Sequence, residues 1–96
     1  MMTHFVVIRT KSGENASKIL EGLQTLKQIK CADSVSFGSP VASERPVVDD
    51  TFTAALCVQC KDSQTLSQYL NDPVHVKFAQ DYLKKYHAKI TVYDVQ

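Results

Sequence analysis

Apolar residues recur along this chain in two periods. Phe5-Val6-Val7-Ile8 is a compact, partly β-branched run that stops at Lys11-Ser12-Gly13, and it predicts a strand over residues 3–10. From residue 14 to residue 30 the period changes. Ala16, Ile19, Leu20, Leu23, Leu26 and Ile29 fall three and four apart, the buried stripe of a helix, with Gly22 as its weak point. Val35 and Phe37 mark a short strand over 34–39 that ends at Gly38-Ser39-Pro40, and the charged, Pro46-containing stretch 41–50 reads as a loop. Over 51–60 the alternation is strict: Phe52, Ala54, Leu56, Val58 and Cys60 share one side of a strand.

Asp62 or Ser63 then caps a short helix with Leu66, Tyr69 and Leu70 inward. Asn71-Asp72-Pro73 breaks it and opens another. Asp72 suits the N-cap, and Pro73 suits the first helical position, where no amide hydrogen is needed. Phe78, Ala79, Tyr82, Leu83 and Tyr86 form the stripe of this last helix, and residues 88–95 close the chain as a strand. The order strand, helix, strand, strand, helix pair, strand predicts an α+β fold. With short, right-handed connections it becomes a ferredoxin-like four-stranded antiparallel sheet with helices on one face, in which the first and last strands are neighbours.

Those two strands, taken as the outer ones, are apolar on both faces. Val6 and Ile8 oppose Phe5 and Val7 in the first, and Ile90 and Val92 oppose Tyr93 and Val95 in the last. Helices cover only one face, and a solvated face should be polar. A second copy packing sheet to sheet would cover it, which predicts a homodimer through the sheet face.

Composition narrows the classes. Ninety-six residues imply one domain, 1–96, and 44% hydrophobic with 22% charged residues is the balance of a soluble globule. Eleven Lys+Arg against ten Asp+Glu leave +1, without the basic excess of a nucleic-acid binder. Lys84, Lys85, His87 and Lys89 read as a solvated face. No apolar run suits a membrane span or a signal peptide, so neither membrane nor nucleic acid is expected as a partner. Three cysteines, Cys31, Cys57 and Cys60, point to reduced thiols and a cytoplasmic location. Cys57-Val58-Gln59-Cys60 ends a strand, where residues three apart point to opposite faces, so it reads as two small buried residues and not as a redox or metal motif. No zinc spacing and no glycine-rich phosphate loop occurs, so no metal or organic cofactor is expected.

The chemistry concentrates in Tyr69-Leu70-Asn71-Asp72-Pro73-Val74-His75. With Asp72 as N-cap, His75 is the third helical residue, where the positive end of the helix dipole disfavours a charged imidazole. Such a histidine can take a proton near pH 7. Tyr69 offers a phenol to an anionic oxygen, so the pair forms a base and an oxyanion donor for removing a proton beside a carbonyl. At the termini, His4 shares a face with Val6 and Ile8, and Asp94 with Ile90 and Val92. Antiparallel pairing makes His4 and Asp94 cross-strand neighbours on the helix-covered face, a carboxylate–histidine pair or a plain rim ion pair. Leu20, Leu23, Phe78, Tyr82 and Leu83 either line a cavity beneath the helices or fill it.

His4-Phe5-Val6-Val7-Ile8, Ser36-Phe37-Gly38, the run from Tyr69 to Phe78 with Pro73 and His75, and Val92-Tyr93-Asp94-Val95 together resemble the stress-responsive A/B barrel (Dabb) family over nearly the whole chain. One departure is Asp72, where that family often has histidine. The resemblance implies a dimeric α+β barrel. It also implies similarity to a plant polyketide cyclase of the family, olivetolic acid cyclase. By that likeness His75 and Tyr69 would serve an aldol-type ring closure, and His4 and Asp94 would fall at pocket positions. Two functions follow. One is a cofactor-independent, cyclase-like enzyme acting on a linear poly-β-carbonyl or similar carbonyl compound, with His75 as base, Tyr69 steadying the oxyanion and Asp94 orienting a histidine. The other is a non-catalytic, stress-responsive dimer that binds a small ligand or a partner. A monooxygenase or isomerase of the wider barrel group has less support, since no haem or lactone motif is seen.

Overall fold

The computed structural model describes residues 1–11 and 13–96; Ser12, part of the expected stop after the first strand, lies outside the described residues. Four strands form one antiparallel sheet: β1 (Met2–Arg9), β2 (Ser34–Gly38), β3 (Ala54–Cys60) and β4 (Lys89–Val95), in the order β2-β3-β1-β4. The helices α1 (Ala16–Thr25), α2 (Ser63–Asn71) and α3 (Pro73–Phe78) lie on one face, the ferredoxin-like arrangement. The first and last strands pair as expected. One point is corrected, since β1 is central and not an outer strand, while β2 and β4 form the edges. The two strands flanking β1 are therefore β3 and β4, with Val6 facing Leu56 on one side and Val92 on the other.

Strand parity sets the core. Val6 and Ile8 of β1 and Ala54, Leu56, Val58 and Cys60 of β3 point under the helices, where they are buried with Ile19, Leu23 and Leu26. The third strand starts three residues later than the periodicity suggested. The Thr53 hydroxyl takes the Thr10 amide at 2.8 Å, which occupies the ladder there. Phe52 then leaves the side shared by Ala54 and Leu56, and it flanks Phe5 and Ala55 on the open face.

The long helix expected over 14–30 is an α-helix only from Ala16 to Thr25, flanked by 3₁₀ turns at Gly13–Asn15 and Leu26–Gln28. The Thr25 hydroxyl donates back to the Gly22 carbonyl at 2.6 Å, at the point where the helix tightens. Gly22 has a positive role as well. The Tyr82 ring lies where a side chain would begin, 2.5–2.8 Å from an ideal Cβ position. Asp62 caps α2 by accepting from the Thr65 amide at 2.8 Å, and Asp72 caps α3 by accepting from the Val74 amide at 2.8 Å, with Pro73 first in the helix. The last helix does not run on as α-helix. It widens into a π-helical segment at Ala79–Lys84, and the left-handed His87 (φ 52°) turns the chain into β4.

Candidate functional site

The helix layer is offset across the sheet. Helix α1 packs over β2 and β3, α2 over β1 and β3, and the π segment packs on α1. The β4 edge is left with thin cover: Ile90 and Val92, though they point to the helix side, are 46% and 43% exposed. Between this edge and the last helix lies a cavity of about 160 Å³. Val6 and Ile8 form its floor, Ile90 and Val92 its outer wall, Phe78 and Leu83 its roof, and His4 and His75 add its polar groups.

His4 is brought here by the same parity that buries Val6 and Ile8, and only 6% of it is exposed. It lies directly across the ladder from Asp94, and its Nδ1 is 2.5 Å from an Asp94 carboxylate oxygen. A carboxylate can only accept, so Nδ1 carries the hydrogen and Nε2 is the nitrogen left for a ligand. His75 stands in the first turn of α3. Its pKa lies below the ordinary value of 6.5, first because of burial and second because of His4, against the opposing pull of Asp72 and the Leu70 backbone. The neutral state expected of His75 thus has mainly a different origin. A helix of six residues has a small dipole, and removal from water dominates.

The sequence-selected residues form one chain of rings. Tyr69 meets His75 edge-on at 5.1 Å between centroids and His4 at 6.2 Å, and His75 meets Phe78 at 6.2 Å. Tyr69 is brought to both imidazoles, but it is fully buried and does not line the cavity. Its hydroxyl has no hydrogen-bond partner, and its pKa is pushed up by burial and then by the Cys60 and Cys31 thiols. Of the residues expected to line or fill the space, Phe78 and Leu83 line it, Leu23 belongs to the packed core, and Tyr82 is seated on Gly22. Ile90 and Val92 were missed as cavity walls. Their apolar pattern gives no sign that the helices would stop short of them.

Cys57 and Cys60 lie on opposite faces of β3, both as free thiols. Among the described residues no cluster of three His, Cys, Asp or Glu side chains could hold a metal ion, and no helix is long and apolar enough to cross a membrane. The open face carries a larger hollow of about 300 Å³ around Phe5, Val7, Phe52 and Tyr93. Its one guanidinium, Arg9, is already engaged by Asp49 at 2.9 Å and Thr51 at 2.8 Å.

The family model of the stress responsive A/B barrel domain matches residues 2–96. No curated protein matches the chain. Among solved structures, a dabb family protein with a ferredoxin-like fold from Mesorhizobium loti is similar, with TM-score 0.76 and 18% identity over 99% of this chain and 94% of that one. A dimeric ferredoxin-like protein from Thermobifida fusca has TM-score 0.76 and 12% identity over 98% and 88%. A hydroxynitrile lyase from Passiflora edulis has TM-score 0.74 and 20% identity over 98% and 90%. At these identities the likeness is one of fold.

Proposed function

Because the chain belongs to the stress responsive A/B barrel domain family, we propose that it is a single-domain homodimer whose cavity binds a small carbonyl compound and moves a proton at the carbon beside the carbonyl. One observation carries this reading: two imidazoles, one of them tied to a carboxylate, meet at an apolar cavity that opens along β4.

His75, uncharged near neutral pH, takes the proton as general base. His4 is held at Nδ1 by Asp94, and in its imidazolium form its Nε2 donates to the developing oxyanion. Asp94 is a positioning residue, since it acts through His4. The oxyanion role expected of Tyr69 has less support than that of His4, because the Tyr69 hydroxyl is shut away from the cavity. Its ring walls both imidazoles instead. Such proton transfer needs no metal or organic cofactor, and it is the step that an aldol-type, cyclase-like closure would share. A hydroxynitrile lyase on the same fold supports an enzymatic reading.

The test is deuterium exchange at the α-carbon of cyclohexanone in D₂O, followed by proton NMR. His75→Ala should slow the protein-dependent exchange by about 10²-fold, the usual contribution of a general base. An unchanged rate overturns the mechanism. The buried, unpartnered Tyr69 hydroxyl favours the second reading, a non-catalytic ligand-binding dimer, in which no protein-dependent exchange occurs. The homodimer is proposed through the open face, where Phe5, Tyr93 and Val95 stand exposed, and it is supported by neighbours described as dimeric. Sedimentation at micromolar concentration should give twice the mass of one chain, and Phe5→Asp should halve it.

A further inference from the structure

The size and charge of the cavity carry an inference about what enters it. An apolar cavity of about 150 Å³ holds one benzene ring, whereas pockets for drug-sized ligands begin near 300 Å³. The space at His4 and His75 is about 160 Å³. Its remaining walls are hydrocarbon, from Val6, Ile8, Leu83, Ile90 and Val92 among others, and no lysine or arginine lines it. A carboxylate or phosphate on the ligand would find no lysine or arginine there. One of the cavity's two imidazoles, His4, already has a carboxylate partner in Asp94.

We propose that the cavity selects an uncharged carbonyl compound the size of a single six-membered ring, and that Leu83 sets the size limit. This rests on the reading of the cavity as the ligand site. It narrows the ligand class: a linear poly-β-carbonyl chain exceeds the space and would have to trail past Ile90 and Val92 into water. Leu83 is the limiting side chain because its segment is pinned from behind. The neighbouring Tyr82 ring is seated on Gly22, stacks with Phe78 at 6.0 Å between centroids, and reaches Glu21 with its hydroxyl at 3.4 Å. The π segment is therefore held against retreat from a larger ligand, and shortening Leu83 makes room.

Titration of the intact protein, followed by backbone amide and imidazole NMR shifts, tests this with three probes. Cyclohexanone should shift His4, His75 and the β4 amides. Cyclohexanecarboxylate, with the same ring and a negative charge, should bind at least about 10-fold more weakly, the effect of leaving one charge unpaired in an apolar site. The two-ring ketone 2-decalone should bind Leu83→Ala and not the parent protein, with Leu83→Val as the milder variant should the alanine form fail to fold. Equal or tighter binding of the carboxylate, 2-decalone binding as well to the parent as to the Leu83 variants, or shifts confined to the open face would each overturn the proposal. Failure of the proton-transfer reading looks different. Cyclohexanone then binds at His4 and His75 without exchanging its α-protons, and the selectivity stands. Should 2-decalone exchange on the parent protein as fast as cyclohexanone, the selectivity falls and the proton transfer stands.

Discussion

β3 and β4 flank the same central strand, run in the same sense against it, and present apolar residues to the same side, yet they have opposite fates. Ala54, Leu56, Val58 and Cys60 of β3 are sealed under α1 and α2, while all seven residues of β4 are exposed. Sequence alternation is not the cause, because Ile90 and Val92 are as apolar as Leu56 and Val58. The cause is the seat of the helices. α1 and α2 sit over β2, β3 and β1, and the last helix packs on α1 and stands off from β4. One half of the layer thus becomes core and the other a roofed hollow. The cost of the hollow is lost burial at Ile90 and Val92, and the candidate site residues, His4, His75 and Asp94, gather on that side.

The difference is sharpest in stability. Leu23→Ala, in the sealed half, should lower unfolding free energy by about 3 kcal/mol, the usual penalty for a buried leucine. Val92→Ala should cost under about 1 kcal/mol, as expected at an exposed position. Denaturant titration of the two variants would break the comparison if the costs were equal.

Gly22→Ala probes the contact that holds the last helix in place. Helix propensity alone would make alanine stabilising by about 1 kcal/mol. With the Tyr82 ring in the way, we expect a loss of about 1–3 kcal/mol from overpacking, and partial recovery in the double variant with Tyr82→Leu. A stable Gly22→Ala would mean that the roof is free to shift.

Tyr69→Phe tests the seam between the halves. Its hydroxyl is buried without a partner, so its loss should leave stability unchanged or raise it by up to about 1 kcal/mol. The exchange rate should fall by much less than with His75→Ala. A fall of comparable size would restore the phenol to the oxyanion role.

The smallest effect concerns pH. Folding lowers the His75 pKa, so as pH falls through 6.5 the unfolded chain takes up the proton before the folded one does. Its contribution to stability is therefore intact above that pH and declines below it, until the folded protein is protonated too. Thermal denaturation between pH 7.5 and 5 should show a shallower decline in His75→Gln than in the parent.

Much of this molecule follows from local rules. Asp72-Pro73 fixes a helix start because a cap and a missing amide hydrogen act within one turn. Parity in β1 and β4 places His4 opposite Asp94 because antiparallel neighbours leave little freedom of register. The stripe of α1 marks Ile19, Leu23 and Leu26 as core for the same reason. The family was legible too, through the spacing of Tyr69, Pro73, His75 and Phe78.

Other features depend on contacts between distant segments. Gly22 looks like a helix flaw until Tyr82, sixty residues on, occupies its missing side chain. Phe52 follows the alternation of its strand in sequence, but Thr53 ends the ladder by pairing with Thr10 and sends Phe52 to the other face. Tyr69 has the right spacing for a donor, yet the depth of its seat turns its hydroxyl away from the cavity. Periodicity determined which side each residue faces, because that is a property of one element. How far the helices slide across the sheet is settled only when whole elements pack, and that offset decides whether Ile90 and Val92 bound a solid core or a hollow.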